Sequence, residues 1–182
     1  LPQAGRVYDL GLELNDHIPS NAEFTPLSLN FTHTPEKTGA QSPFQFSADT
    51  FSGGLHTGTH MDDFVHVQAG NRVFGGAAVS EALGPKGWKQ YGMETVRPMI
   101  GRGILLDIPG LKGVGRLEDR YEITIEDLKA ELARKKLAIQ EGDFVLVRTG
   151  KIQDWDNPAA FQAAEPGVGR EAAIWLHEAG MA

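Results

Sequence analysis

The chain has 182 residues, of which 41% are hydrophobic and 23% charged, and its formal net charge is −7. This length suits a single domain with a sizeable core, and the negative charge argues against nucleic acid or anionic membrane as a partner. The sequence contains no cysteine, which excludes disulfides and thiolate chemistry and fits a reducing, cytoplasmic compartment. No apolar run reaches the roughly 18 residues of a membrane span. Because the chain starts at Leu1, we expect a missing or processed N-terminus, and a removed signal peptide stays open.

Alternating apolar residues predict three strands in the first part of the chain, over residues 6–14, 27–33 and 44–50. In the first strand the inward side chains would be Tyr8, Leu10, Leu12 and Leu14. The loop between the first two strands carries His17, which we interpret as a surface residue. His33, at the end of the second strand, is a weaker candidate for lining a site.

Three phenylalanines, Phe44, Phe46 and Phe51, recur just before the most informative stretch of the chain. Phenylalanine at alternating positions usually belongs to the core. Because these residues lead directly into polar, potentially catalytic positions, one or two of them could instead pack against a flat substrate.

Residues 54–67 carry four metal-ligand side chains, His56, His60, Asp62 and His66. Neutral imidazole and carboxylate are ligands that zinc and similar divalent metals accept. Their offsets from His56 are all even, so an extended backbone groups them on one face better than a helix does. A straight strand would separate His56 from His66 by roughly 33 Å, so we expect a bend within residues 61–65. Gly58, between the first two histidines, would let another group approach closely.

A lone pair of histidines four residues apart is more often structural. Four imidazole and carboxylate groups on one face, however, would repel or desolvate one another without a cation. We therefore predict a metal site.

A short helix is predicted over residues 77–83, followed by Trp88 and Tyr91 in a glycine-bounded loop. These two aromatic residues are candidates for the rim of a pocket, and ordinary core anchoring is an equal alternative. Thr57 and Thr59 could bond a substrate or a ligand, or could be plain strand residues.

The second half of the chain is typical of a βαβ-like unit with neighbouring strands. Apolar runs predict buried strands at 103–108 and 144–148, and a capping box of Thr124 and Asp127 begins the helix between them. The charged residues of this helix are interpreted as a solvated face, namely Lys129, Glu131, Arg134, Lys135 and Lys136. A last helix is predicted over residues 168–179, with His177 and Glu178 on its surface.

The pattern formed by His56, Gly58, Thr59, His60, Asp62 and His66 resembles the signature of the cyclase-type metal-dependent hydrolases. That family includes bacterial kynurenine formamidase and isatin hydrolase. The resemblance covers essentially the whole chain, including the Gly-Asp-Phe-Val-Leu-Val-Arg-Thr-Gly strand. Many members carry proline two residues before the last histidine and phenylalanine just after it. Phe64 and Val67 stand there in this chain, which favours the isatin hydrolase branch over the formamidase branch.

The resemblance implies that His56, His60 and Asp62 bind the metal, Mn²⁺ or Zn²⁺, and that His66 is the acid/base. It also implies an α/β fold of the swivelling β/β/α type, a mixed sheet core with flanking helices, assembled as a homodimer or larger homo-oligomer. Family members continue with strands that bring a further histidine and glutamate to the metals. We therefore expect residues 1–182 to form a single cyclase-like domain that lacks its C-terminal part.

Three protein ligands would leave positions for water and substrate, as in catalytic metal sites. The metal would activate a water, and the His66 imidazole would move its proton to a leaving nitrogen. We expect hydrolysis of a cyclic or aryl amide, with an isatin-like compound as first choice and N-formylkynurenine as the alternative. A non-catalytic metal-binding fragment is a second alternative.

Overall fold

The computed structural model describes residues 5–21, 23–39, 41 and 43–182. Internal contacts divide the chain into two compact units, Leu1–Pro98 and Met99–Ala182. Both units combine helices with two-stranded sheets, so the chain belongs to the α/β class. Within the described residues, none of the helices has the length and apolar character needed to cross a membrane.

The first unit contains an antiparallel pair of strands, β1 (Ser28–His33) and β2 (Ala48–Ser52). Between them lies a single helical turn, α1 (Pro35–Thr38), which begins where the Thr34 hydroxyl accepts a hydrogen bond from the Lys37 N–H. The predicted strand at 27–33 is confirmed. The one predicted at 44–50 forms a few residues later, because pairing with β1 begins only at Ala48.

The strand predicted over residues 6–14 is wrong, because the structure assigns no regular element to the described part of this segment. Tyr8 and Leu10, expected to face inward, are 75% and 67% exposed. Instead of pairing with a neighbouring strand, the segment has hydrogen bonds to a side chain: the Leu12 N–H donates to the Thr59 hydroxyl, which donates to the Leu10 carbonyl. Alternation predicts a strand only where a second strand supplies backbone partners.

The rest of the first unit consists of short elements. These are two 3₁₀ turns (Phe74–Gly76 and Met93–Thr95), helix α2 (Val79–Ala82), and the hairpin of β3 (Leu83–Gly84) and β4 (Gly87–Trp88). They surround a small core of Val65, Val73 and Ala82, against which Trp88 and Tyr91 pack. The predicted helix at 77–83 is thus confirmed in shorter form.

The second unit is built on two parallel strands, β5 (Gly103–Asp107) and β7 (Phe144–Arg148), which pair in register. The chain between them forms helices α3 (Ile108–Lys112) and α4 (Ile125–Lys135) and strand β6 (Glu122–Ile123). A 3₁₀ turn (Lys151–Asp154), helix α5 (Pro158–Ala163), strand β8 (Gly167–Val168) and helix α6 (Arg170–Glu178) follow. The predicted βαβ-like unit is confirmed, and His177 and Glu178 are exposed.

Helix α4 begins at the predicted capping box. The Thr124 hydroxyl accepts from the Asp127 N–H, and the Asp127 carboxylate accepts from the Thr124 N–H. Leu128 and Leu132 then face the core, where they join Leu106, Ile108 and Ile123. Burial of such side chains is the main stabilising term of the unit.

Glu131 does not lie on a solvated face as expected, because its side chain is fully buried. It follows Leu128 by three residues and therefore shares the inner face of the helix. Its carboxylate accepts two hydrogen bonds from Arg134 and one from the Asp107 N–H at the end of β5. Hydrogen bonds from Arg134 outweigh the effect of burial and lower the pKa of the Glu131 carboxyl. Paired in this way, a buried carboxylate is tolerated.

A second buried carboxylate, Asp143, gives the unit a testable pH dependence. Arg102 donates two hydrogen bonds to it, at 2.8 and 2.5 Å. These bonds and one from the Gln140 N–H lower the pKa of Asp143 from 3.8 to about 2. A carboxyl with a lowered folded-state pKa contributes stability that is present above its unfolded-state pKa and is lost as the pH falls through the folded one.

We expect Asp143→Asn to lower the free energy of unfolding at pH 7 and to reduce the loss of stability between about pH 4 and pH 2. Urea unfolding at several pH values measures both effects. Asp156→Asn, at an exposed aspartate of the same unit, is the control and should keep the acid dependence of the wild type. An unchanged acid dependence in Asp143→Asn would contradict this account.

Candidate metal centre

The segment that carries the predicted ligands is a succession of turns and bends rather than a strand. Its first turn is held by Thr57, which is buried and whose hydroxyl donates to the Gly54 carbonyl at 2.9 Å. The Thr57 N–H donates to the Leu55 carbonyl at 2.9 Å. The prediction of extended backbone is therefore wrong. Local hydrogen bonds satisfy the backbone here, so no neighbouring strand is needed.

A second turn directs the chain back toward His56. It lies where a bend was predicted, within residues 61–65. The Asp63 side chain accepts from the Val65 N–H at 3.1 Å, and the Asp63 carbonyl accepts from the His66 N–H at 3.3 Å. Val65 is fully buried in the small core of the first unit. Burial of Val65 therefore fixes the position of the turn, and His66 follows directly on its exposed side.

The two turns bring three of the predicted side chains to one point. The His56 Nδ1 atom lies 3.0 Å from the Asp62 Oδ1 atom and 3.0 Å from the His60 Nε2 atom. The distance from His60 Nε2 to Asp62 Oδ1 is 3.3 Å. These atoms form a nearly equilateral triangle, which we call the donor triangle.

The hydrogen-bond partners assign the protons in the donor triangle. The His60 Nδ1 atom lies 2.9 Å from the Gly58 carbonyl oxygen, which only accepts, so Nδ1 carries the hydrogen and Nε2 offers a lone pair. The Asp62 carboxylate also only accepts. His56 Nδ1–H is therefore the one donor shared by two acceptors, and a cation that replaced this proton would meet three lone pairs.

The spacing of the triangle fits a divalent metal. Nitrogen and oxygen ligands at zinc bond lengths of about 2.0–2.2 Å lie about 3.3 Å apart in a tetrahedral site and about 2.9 Å apart at right angles. The observed separations of 3.0–3.3 Å fall between these two values. The donor set of imidazole and carboxylate suits zinc and manganese. The side chains of His56, His60 and Asp62 are 38%, 28% and 43% exposed, so an ion can enter from solvent.

His66 joins the same cluster by stacking on His56. The two imidazole rings stack, with centroids 4.6 Å apart and planes 7° from parallel. Ligand atoms of His56, Asp62 and His66 all lie within 4.8 Å of one another. A single water molecule can bridge polar atoms at that separation. The structure thus brings all four predicted residues together.

Electrostatics favour the ionised form of Asp62. Partial burial would raise the pKa of this carboxyl, but the hydrogen bond from His56 and the neighbouring imidazoles of His56, His66 and His60 outweigh it and lower the pKa. The carboxylate is therefore available as an anionic ligand near neutral pH.

A cleft of about 190 Å³ opens on the cluster. Besides the four predicted residues it is lined by Leu55, Met61, Asp63, Trp88 and Met93. Trp88 was a candidate for the rim, and it lies both on this cleft and against the core. Leu55, Met61 and Asp63 were missed, although each directly precedes or follows a predicted ligand. No sequence signal pointed to Met93.

Other residues that the sequence singled out lie elsewhere. His33 stacks on Phe46, with ring centroids 4.3 Å apart, and neither belongs to the cleft lining. Phe44 and Phe51 do not line the cleft either, and His17 lies at the surface as predicted.

The hydroxyls of Thr57 and Thr59 form hydrogen bonds with backbone atoms, and both residues lie in turns or bends rather than in strands. The Phe24 ring also contacts His56, with centroids 5.4 Å apart, and the sequence did not indicate this residue.

Comparison with known proteins identifies the family. Residues 8–182 match the sequence profile of the family described as "Putative cyclase", so the chain belongs to that family. A search of curated proteins gave no match. A crystal structure described as a novel cyclase has a TM-score of 0.89 and 26% sequence identity, over 99% of this chain and 63% of that one.

Two isatin hydrolase structures share the fold. Isatin hydrolase A from Ralstonia solanacearum has a TM-score of 0.70 and 23% identity, over 97% of this chain and 64% of its own. An isatin hydrolase bound to the product analogue thioisatinate has a TM-score of 0.67 and 19% identity, over 96% of this chain and 63% of its own. The chain thus spans slightly less than two thirds of these proteins.

Removal of one triangle atom should abolish binding of a divalent metal. In the wild-type chain we expect Zn²⁺ or Mn²⁺ to raise the melting temperature, because a ligand at 100 times its Kd stabilises the folded state by about 2.7 kcal/mol. His60→Ala should lose that increase, whereas the surface control His17→Ala should keep it. Thermal unfolding with and without metal, after treatment with a chelator, measures the effect. An equal metal-dependent increase in His60→Ala would contradict the assignment.

Proposed function

We propose that the chain is the metal-binding part of a hydrolase that opens a cyclic amide of the isatin type. The observation that carries the proposal is the meeting of two imidazoles, one carboxylate and a third imidazole in the lining of one cleft. Membership of the cyclase family and the likeness to isatin hydrolase structures support the reaction class. The whole protein would have a swivelling β/β/α core and form a homo-oligomer.

His56, His60 and Asp62 are proposed as the metal ligands, and His66 as the acid/base. The three ligand atoms are those of the donor triangle, 3.0–3.3 Å apart. His66 stacks beside the triangle on the ring of His56. This position lets His66 reach a water or a leaving group without displacing a triangle atom.

A divalent metal held by the triangle would polarise the amide carbonyl and lower the pKa of a water. The His66 imidazole accepts the proton of that water as its oxygen forms a bond to the carbonyl carbon. When the carbon–nitrogen bond breaks, the same imidazole returns the proton to the nitrogen. The atoms balance: one water is consumed, one of its protons passes through His66 to the nitrogen, and the ring amide becomes an amine and a carboxylic acid on one product. The acid then releases the other proton to solvent and becomes a carboxylate.

The lining of the cleft supports an aromatic substrate. Trp88 presents a large apolar side chain, and Met61 and Met93 add thioethers that pack well against aromatic rings. Trp88 cannot shift easily, because it also packs against the core of Val65, Val73 and Ala82. A flat bicyclic amide would therefore rest on a rigid wall with its carbonyl toward the triangle.

His66→Ala should retain the metal and lose turnover. Acid–base catalysis by one side chain contributes roughly 10²- to 10⁴-fold, so we expect kcat to fall by that factor. Elemental analysis of the dialysed variants, together with kcat for isatin, provides both readouts. If the metal content of His66→Ala fell as far as that of His60→Ala, the division of roles would be wrong.

The substrate is tested by following isatin through the loss of its visible absorbance with added Zn²⁺ or Mn²⁺. We expect metal-dependent turnover, and a higher KM in Trp88→Leu because a smaller apolar side chain offers less contact to an aromatic ring. Leu83→Ala, at an exposed residue paired with Trp88 in the hairpin, is the control.

If the protein hydrolyses N-formylkynurenine and not isatin, the proposed reaction class stands. The substrate is then an open-chain aryl formamide rather than a cyclic amide. If the protein binds the metal but hydrolyses neither compound, the result contradicts the enzyme proposal and supports a non-catalytic metal-binding protein.

A further inference from the structure

His60 is oriented by the backbone two residues before it. Its Nδ1 atom donates to the Gly58 carbonyl at 2.9 Å, and its Nε2 atom points to His56 and Asp62. In metal sites the second nitrogen of a ligating histidine usually donates to such an acceptor, which fixes the tautomer and the ring orientation. The Gly58 carbonyl has this position here.

The conformation of Gly58 makes that contact possible. Its φ is +64°, in the left-handed region that residues with a Cβ atom rarely adopt. A Cβ atom at this position would lie 3.1 Å from the Leu14 Cδ2 atom and 3.5 Å from the Ile18 Cδ1 atom. The distance to Ile18 is an ordinary van der Waals contact, so only the exposed Leu14 side chain would have to move, by a few tenths of an ångström. The backbone angle is therefore the main constraint that favours glycine, and the contact with Leu14 adds to it.

We propose that Gly58 is a positioning residue that holds His60 in the tautomer with a bare Nε2 atom. The proposal rests on the metal site proposed above. A side chain at position 58 would strain or shift the turn and move the carbonyl away from His60. Without that acceptor the hydrogen is free to move to Nε2, where it blocks the lone pair that the triangle needs.

The chain offers a matched control at Gly70. This glycine also has a positive φ, +57°, but no atom lies within 4 Å of the position of an added Cβ. Gly70→Ala therefore reproduces the backbone penalty without the contact to Leu14 and without a bond to His60. A comparison of Gly58→Ala with Gly70→Ala therefore separates the effect of losing the hydrogen bond to His60 from the effect of backbone strain at a positive φ.

Two readouts test the proposal. Long-range ¹H–¹⁵N NMR of the metal-free chain reports which imidazole nitrogen of His60 carries the hydrogen. Competition with a chromogenic chelator reports the Kd for Zn²⁺. In the wild type and in Gly70→Ala we expect hydrogen on Nδ1 and Kd values that agree within about twofold. In Gly58→Ala we expect a mixed or reversed tautomer and a Kd that is about 10- to 100-fold weaker.

A folded Gly58→Ala with the wild-type tautomer and Kd would overturn the proposal. If that variant fails to fold, the double variant Gly58→Ala with Leu14→Ala removes the nearest contact, keeps the unfavourable backbone angle and carries the same test. Failure of the wild type to bind Zn²⁺ would overturn the proposed function instead. In that case the tautomer measurement on the metal-free chain still decides the role of Gly58.

Discussion

The site depends on the competition of two acceptors for one proton. His60 Nε2 and Asp62 Oδ1 both lie 3.0 Å from His56 Nδ1, and of these three atoms only His56 Nδ1 carries a hydrogen. The third side of the triangle, 3.3 Å long, joins two acceptors that repel each other. A divalent cation would relieve this repulsion by meeting all three lone pairs at once. This constraint explains why three polar side chains are held together on a partly exposed surface.

The surrounding structure holds the triangle by local means. The Thr57 hydroxyl closes the turn that presents His56, and the Asp63 side chain closes the turn that presents His66. Burial of Val65 anchors the second turn to the small core on which Trp88 also rests. The same residues that fix the ligands thus fix one wall of the cleft. A preorganised site of this kind avoids the cost of ordering its ligands when a metal or substrate binds.

The sequence predicted the parts of the fold that local chemistry decides. The capping box of Thr124 and Asp127 located the start of α4, and two apolar runs located β5 and β7. The four clustered residues were predicted because imidazole and carboxylate in one short segment have few other uses. The sequence did not predict that residues 6–14 would lack a partner strand, since pairing depends on distant residues. It also missed the burial of Glu131, because only the fold brings the end of β5 to its carboxylate.

X-ray absorption spectroscopy of the metal-loaded chain tests the central claim most directly, since it reports the ligands of the bound ion. The account predicts nitrogen and oxygen neighbours at about 2.0–2.2 Å, with the outer-shell scattering of two imidazoles, and no such signal from His56→Ala, which lacks a triangle atom and should not hold the ion. A spectrum without imidazole scattering, or one that His56→Ala leaves unchanged, would show that the ion is bound elsewhere and would contradict the account.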